Sequence, residues 1–339
     1  MKTRKLVAVG LVLVLVLSLM VGCGQKAAEQ TQPAETKEEP KAEEPKAEAK
    51  KDKYTIGWCL SNFDDKWLSY MLNAAQEKAK EISNEAEVIF VDGKDDPAKQ
   101  LSQVESFIAQ KVDAIVVVPV NTDATEPITN ACKEAGIPLI SVNRYMKNQD
   151  DATSYVGSKS IEAGIMQMEY IGEKMGGKGN IVILRGGDGH EASVNRTLGN
   201  KQVIEQKYPD IKVVAEQTGK WMRPEGMAIT ENWIQSGLQF DAVVCNNDEM
   251  AIGAIMALKE AKLLDKVLVA GIDATPDALE YMKDGSLDVT VFQNAKGQGA
   301  GSVEAALKVA KGETIDKEVW IPYELVTPDK IDEYVAKWK

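Results

Sequence analysis

From Tyr54 onward, short apolar runs that stop in polar side chains alternate with amphipathic stretches of ten to twenty residues. The run Ala242–Cys245 is followed at once by Asn246, Asn247 and Asp248, and then by a helical pattern reaching Lys259. The same order recurs: 139–142 ends in Asn143 and Arg144, 267–272 in Asp273, and 289–292 in Gln293 and Asn294. After Asp273, Thr275 and Pro276 read as the N-cap and first residue of a further helix. Brief β-rich runs separated by helical periods predict βαβ units and a parallel sheet. One series has strands over 55–60, 87–91, 114–120 and 138–142, with helices over 68–83, 97–110 and 125–135. The other has strands over 180–184, 212–216, 242–245, 267–271 and 289–292. The prediction is an α/β chain with two doubly wound parallel-sheet lobes, and 339 residues exceed the roughly 250–300 over which one core keeps growing.

The beginning of the chain follows a different pattern. Met1, Lys2, Thr3, Arg4 and Lys5 precede an apolar run over 6–21 that ends in Gly22 and Cys23, the layout of a secretory leader over 1–22. Residues 23–53 are almost wholly Lys, Glu, Ala, Pro and Gln, too poor in apolar side chains to offset the entropy of ordering, and predict a solvated tether. A formal net charge of −12 argues against nucleic acid as a partner. Cys59, Cys132 and Cys245 lie in apolar or helical patterns without a CxxC pair, and read as buried free thiols.

In a parallel sheet the carboxyl ends of the strands face the crevice where ligands bind, so the polar strand ends are the first candidates for chemistry. An Asn or Asp there also suits a helix cap, and a single junction does not separate the two readings. Four junctions together favour a ligand rich in hydroxyls. After the first strand come Asp65 and Trp67: a carboxylate accepts hydroxyl hydrogen bonds in a fork, an indole offers a broad apolar face, and a sugar ring needs both. A second tryptophan, Trp221, falls in the polar segment 219–223 outside any apolar period, and the two would form the sides of a slot. Gly186, Gly187 and Gly189 precede His190 and Glu191, with Arg196 in the helix that follows, but the spacing of a phosphate-binding loop is missing. His190 is the single histidine of the chain, and no nucleophile elbow occurs. Asp65 and Asp273 as the paired acids of a glycosidase are disfavoured, because Asn143, Arg196 and Asn247 beside them suit holding hydroxyls better than cleaving a bond.

These segments resemble the bacterial ABC-transporter sugar-binding proteins of type I periplasmic fold, most closely the glucose/galactose- and ribose-binding group. The resemblance runs from Tyr54 to the C-terminus and is carried by 63–67, 142–144, 189–190 with Arg196, 246–251, 271–276 and 321–323. It implies that Trp67 and Trp221 stack on the two faces of a monosaccharide. Asp65, Asn143, Arg144, His190, Arg196, Asn247, Asp273 and Gln293 would surround its hydroxyls. It implies lobes of 54–156 with 293–321 and 157–292 with 322–339, joined by a hinge of three segments near 155–158, 292–295 and 321–324. It further implies no enzymatic activity, no cofactor and no metal, since 176–179 lacks the carboxylates of the family's calcium loop. A monomer that hands its ligand to an ABC permease and its ATPase is expected, or, as an alternative, a sugar sensor docking a receptor. Residues 20–23 resemble the lipoprotein processing box, which would make Cys23 the lipid-modified anchor on the extracytoplasmic face of the cell membrane. Two departures loosen the ligand from glucose or galactose: Ala192 stands where the hexose type carries an aspartate, and Arg144 follows Asn143, which leaves room for a cyclitol such as myo-inositol.

Overall fold

A computed structural model describes residues 51–338; the predicted leader, the tether up to residue 50 and Cys23 lie outside them. The first half of the chain forms β1 (Tyr54–Leu60), α1 (Lys66–Glu81), β2 (Ala86–Asp92), α2 (Pro97–Ala109), β3 (Ala114–Val117), α3 (Glu126–Ala135), β4 (Leu139–Val142) and β5 (Ser154–Gly157). There follow α4 (Ser160–Lys174), β6 (Lys178–Arg185), α5 (Glu191–Lys207), β7 (Asp210–Thr218), α6 (Arg223–Gln235), β8 (Ala242–Cys245) and α7 (Asp248–Glu260). The chain continues through β9 (Leu268–Ala270), α8 (Pro276–Lys283), β10 (Thr290–Phe292), α9 (Ala295–Ala310), β11 (Glu318–Trp320), β12 (Glu324–Val326) and α10 (Ile331–Lys337).

One sheet runs β11-β5-β4-β3-β1-β2 and is parallel throughout; the other runs β7-β6-β8-β9, also parallel. An antiparallel pair, β10 with β12, adjoins the β9 edge through bridges from Ala270 to Val289 and from Asp273 to Phe292. The expected doubly wound α/β architecture is therefore present, and strand order reverses between β1 and β3 and between β6 and β8. Those reversals open a crevice at the carboxyl ends of the strands.

Alternation along β1 explains the layering. Ile56, Trp58 and Leu60 join Leu68, Met71 and Leu72 of α1 and Val303 and Ala306 of α9, whereas Cys59 faces Phe107 of α2 and Cys132 of α3. The second sheet is covered by α6, α7 and α8 on one face and by α4 and α5 on the other. Helices α4 and α5 touch backbone to backbone: a Cβ on Gly164 would lie 2.0 Å from the Arg196 carbonyl oxygen. Cys59, Cys132 and Cys245 are buried free thiols.

Among the described residues the chain passes from the elements of one sheet to those of the other between β5 and α4, between β10 and α9, and between β11 and β12. The pattern overextended β3, which ends at Val117 because Pro119 has no N–H for the ladder. It missed β5, β11 and β12 as strands, since each offers only two consecutive apolar residues within its bounds.

Candidate functional site

Nine of the ten side chains singled out as ligand candidates line one cavity between the sheets: Asp65, Trp67, Asn143, Arg144, Arg196, Trp221, Asn247, Asp273 and Gln293, with Leu68 and Ala192 completing it. Each of the nine lies just beyond the carboxyl end of a strand or in the helix that follows it. The space among these side chains amounts to ≈ 350 Å³ when its opening to solvent is counted with it.

Capping and cavity lining turn out to share residues. Asp65 caps α1, its Oδ1 accepting the Leu68 N–H at 2.9 Å. Burial pushes its carboxyl above the usual range, against the pull of the Leu68 N–H and the Arg144 charge. Asn247 caps α7 through Oδ1 to the Met250 N–H at 3.0 Å and donates Nδ2 to the Trp221 carbonyl at 3.2 Å, which fixes the Trp221 backbone at φ 67°. Asn143 caps nothing. It sits at φ 67° and donates Nδ2 to Oε1 of Gln298 at 2.9 Å, with its Oδ1 uncommitted.

Arg196 organises the opposite wall. Only 4% exposed, it donates to the Asn246 carbonyl (2.6 Å), to Oε1 of Gln293 (2.7 Å) and to the Tyr323 hydroxyl (2.9 Å), and lies 3.6 Å from Oδ1 of Asp273. Its guanidinium also faces the Trp221 ring, 5.6 Å from the centroid. Asp273 has no other ion-pair partner among the described residues, and burial raises its carboxyl well above the ordinary range despite Arg196. Behind it, Asp248 is buried, with Oδ1 accepting from the Thr290 hydroxyl at 2.7 Å and Oδ2 from the Thr275 N–H at 2.8 Å; burial pushes it up to about 7.

His190 lines the adjoining opening, which shares Asp65, Arg144 and Trp221 with this cavity. Its Nδ1 accepts the Trp221 indole N–H at 2.7 Å; an indole only donates, so the imidazole proton sits on Nε2. The histidine orients the tryptophan. Glu191, next to it, turns toward Ser160 and Asn195 and away from the cavity, leaving Ala192 as the lining residue. Sequence reasoning gave no role to Gln298, which holds Asn143, and placed Tyr323 only in a hinge segment, whereas its hydroxyl holds Arg196. A buried glutamine in the first turn of α9, far along the chain from its partner, carried no local signal.

Two carboxylates, two guanidiniums, two tryptophans and amides with spare hydrogen-bonding capacity make a polar cavity in which the formal charges balance. This defines a solute-binding protein, and comparison with known proteins agrees. Residues 56–314 match the model of the periplasmic binding protein domain, and the chain belongs to that family. A solved ABC transporter solute-binding protein from Bacillus halodurans C-125 with bound myo-inositol is 50% identical at a TM-score of 0.82, covering 86% of this chain and 99% of that one. A protein of Rhizobium meliloti named for rhizopine binding is 43% identical over 84% of this chain and 93% of its own length. A xylitol-binding protein of Mycolicibacterium smegmatis is 39% identical over 74% of this chain and 71% of its own. As a member of the family the chain is an extracytoplasmic solute-binding protein of the sugar and polyol class that works with an ABC importer, and it binds its solute without transforming it.

Proposed function

We propose that the solute is a neutral cyclic polyol of the myo-inositol kind, captured between two lobes and delivered to the permease. The observation that carries this reading is the charge balance and shape of the cavity: Asp65 and Asp273 offset Arg144 and Arg196, while Trp67 and Trp221 supply apolar walls for the C–H faces of a ring. Ala192 at the lining removes the carboxylate that a hexose-type site places there, which suits a ring without an anomeric carbon. The 50% identical relative with bound myo-inositol supports the same choice. Glucose, galactose and ribose are the competing ligands on the general resemblance to monosaccharide-binding proteins.

In this reading the lobes are 54–156 with 293–321 and 157–292 with 322–339, and the three passages between them are the hinge. The open form binds the polyol on one lobe, and closure completes the hydrogen bonds, so ligand stabilises the closed state differentially. The leader over 1–22 is removed, Cys23 carries a lipid, and 23–53 tethers the monomer to the outer face of the membrane. Isothermal titration with myo-inositol, glucose, galactose and ribose decides the ligand: tightest binding of myo-inositol is expected, and heat from the sugars alone would reverse the choice. Release of a Cys23→Ala variant into the medium, with the parent retained on the membrane, tests the anchor.

A further inference from the structure

Helix α5, which carries Arg196 and Ala192 into the cavity, lacks a cap of its own. The residue in its N-cap position, His190, makes no side-chain capping bond and spends Nδ1 on Trp221. The first helical N–H, that of Glu191, is satisfied all the same: Oγ1 of Thr122 accepts it at 3.1 Å. Thr122 follows β3 in the other sheet, so this cap reaches α5 from across the crevice. The same hydroxyl donates to the Gly189 carbonyl at 3.0 Å, and the Thr122 N–H reaches that carbonyl at 2.9 Å. Thr122 is itself held, buried to 3% exposure, with its carbonyl accepting from the Lys147 N–H at 2.9 Å. Beside it Asn121 presses on Gly189, where a Cβ would fall 2.9 Å from the Asn121 amide nitrogen and where φ is +74°. Neither Thr122 nor Gly189 lines the ligand cavity.

We propose that Thr122 is a positioning residue for ligand capture: a helix cap supplied in trans, which completes α5 when the crevice is closed and thereby orients Arg196 without touching the ligand. The inference rests on the hinged-clamp reading above and adds to it the device that holds the clamp shut. One hydroxyl both donates to Gly189 and accepts from Glu191, so the valine isostere loses both bonds while serine keeps both. These contacts form after the ligand has docked on one lobe, so their loss acts on escape and not on encounter.

The test is stopped-flow and calorimetric binding of myo-inositol to wild type, Thr122→Val and Thr122→Ser. Loss of a cap corresponds to an affinity drop of about tenfold, carried almost wholly by faster dissociation, with Thr122→Ser within about twofold of wild type. A residue that merely supports the fold would lower association and apo stability together and would gain nothing from serine. Wild-type dissociation kinetics in Thr122→Val, or serine as weak as valine, overturn the proposal while leaving the ligand reading intact; failure of the wild-type protein to bind any polyol overturns that reading and this inference with it. Should Thr122→Val not fold, Thr122→Ala takes its place, because it removes the same two bonds and is expected to raise the dissociation rate in the same way.

Discussion

Trp221 and His190 form a pair in which the indole N–H is donated to Nδ1 at 2.7 Å and the two rings lie 11° from parallel, 6.0 Å apart. The single histidine is thus spent inside the protein. Burial, reinforced by the nearby Arg144 charge, pushes it down to about 3. An unfolded chain takes up this proton near the ordinary histidine value of 6.5, so the stability linked to His190 is full above that pH and is lost as pH falls toward 3. Urea denaturation at pH 7.5 and pH 5 should show wild type losing more stability than His190→Gln, by about 1.4 kcal/mol for each pH unit below 6.5. Equal losses in the two proteins would exclude a neutral buried imidazole.

Asp248 predicts the opposite slope. Its carboxyl is raised to about 7 in the fold, burial being the main cause, from an unperturbed value of 3.8. Below 3.8 both states hold the proton and its contribution is complete; as pH rises toward 7 the unfolded state ionises first and stability is lost. Asn can take the same place, its oxygen facing the Thr275 N–H and its amide facing the Thr290 hydroxyl. In wild type the Asp248 and His190 slopes partly cancel between pH 4 and 6.5, so each emerges only when its owner is replaced. Asp248→Asn should therefore gain on wild type between pH 5 and pH 8 in thermal melts, and a constant difference across that interval would rule the linkage out.

Asp273 faces the cavity with Arg196 at 3.6 Å as its one ion-pair partner among the described residues, and no cap to satisfy. Its acceptor capacity is left for ligand hydroxyls. Leaving a buried polar group without its partner costs roughly 1–3 kcal/mol, so the isosteric Asp273→Asn should weaken polyol binding about five- to hundredfold. Calorimetry reads this directly, with circular dichroism confirming the fold. Binding within twofold of wild type would place the ligand elsewhere.

The strand ends were legible because each is a local event: an apolar run of four residues, then Asn143, Asn247, Asp273 or Gln293. The tryptophans were legible for the same reason, since Trp221 breaks every apolar period around it. The bond between His190 and Trp221 was not legible, because the two lie 31 positions apart and no period couples them. Thr122 and Gln298 stayed invisible for a related reason, as their bonds run across the crevice or to a distant segment and depend on how the two sheets meet. The question of cap or ligand residue at Asp65 and Asn247 had no single answer, because a carboxylate or amide has more than one acceptor site and one of them suffices for the helix.

Gly186 gives the most specific test of the tryptophan wall. The Trp221 ring lies so close over it that a Cβ would fall 2.0 Å from Cζ2 and 2.1 Å from Cη2, distances no side chain tolerates. Gly186 also donates its N–H to Oδ1 of Asn246 at 3.1 Å, a bond that alanine keeps. Gly186→Ala therefore displaces the indole and leaves the β6 ladder alone. Moving the ring breaks the bond to His190 and the contact with Arg196, so wall and guanidinium lose their alignment together. A drop in polyol affinity of at least about tenfold is expected, with a changed tryptophan emission spectrum in the unliganded protein. Gly301→Ala is the matched control: it lies within α9, its Cβ would make an ordinary 3.4 Å contact with Val156, and helix propensity favours alanine there, so its affinity should equal wild type. If Gly186→Ala bound as tightly as Gly301→Ala, the indole would not be a wall of the site, because nothing else at position 186 differs between the two chains.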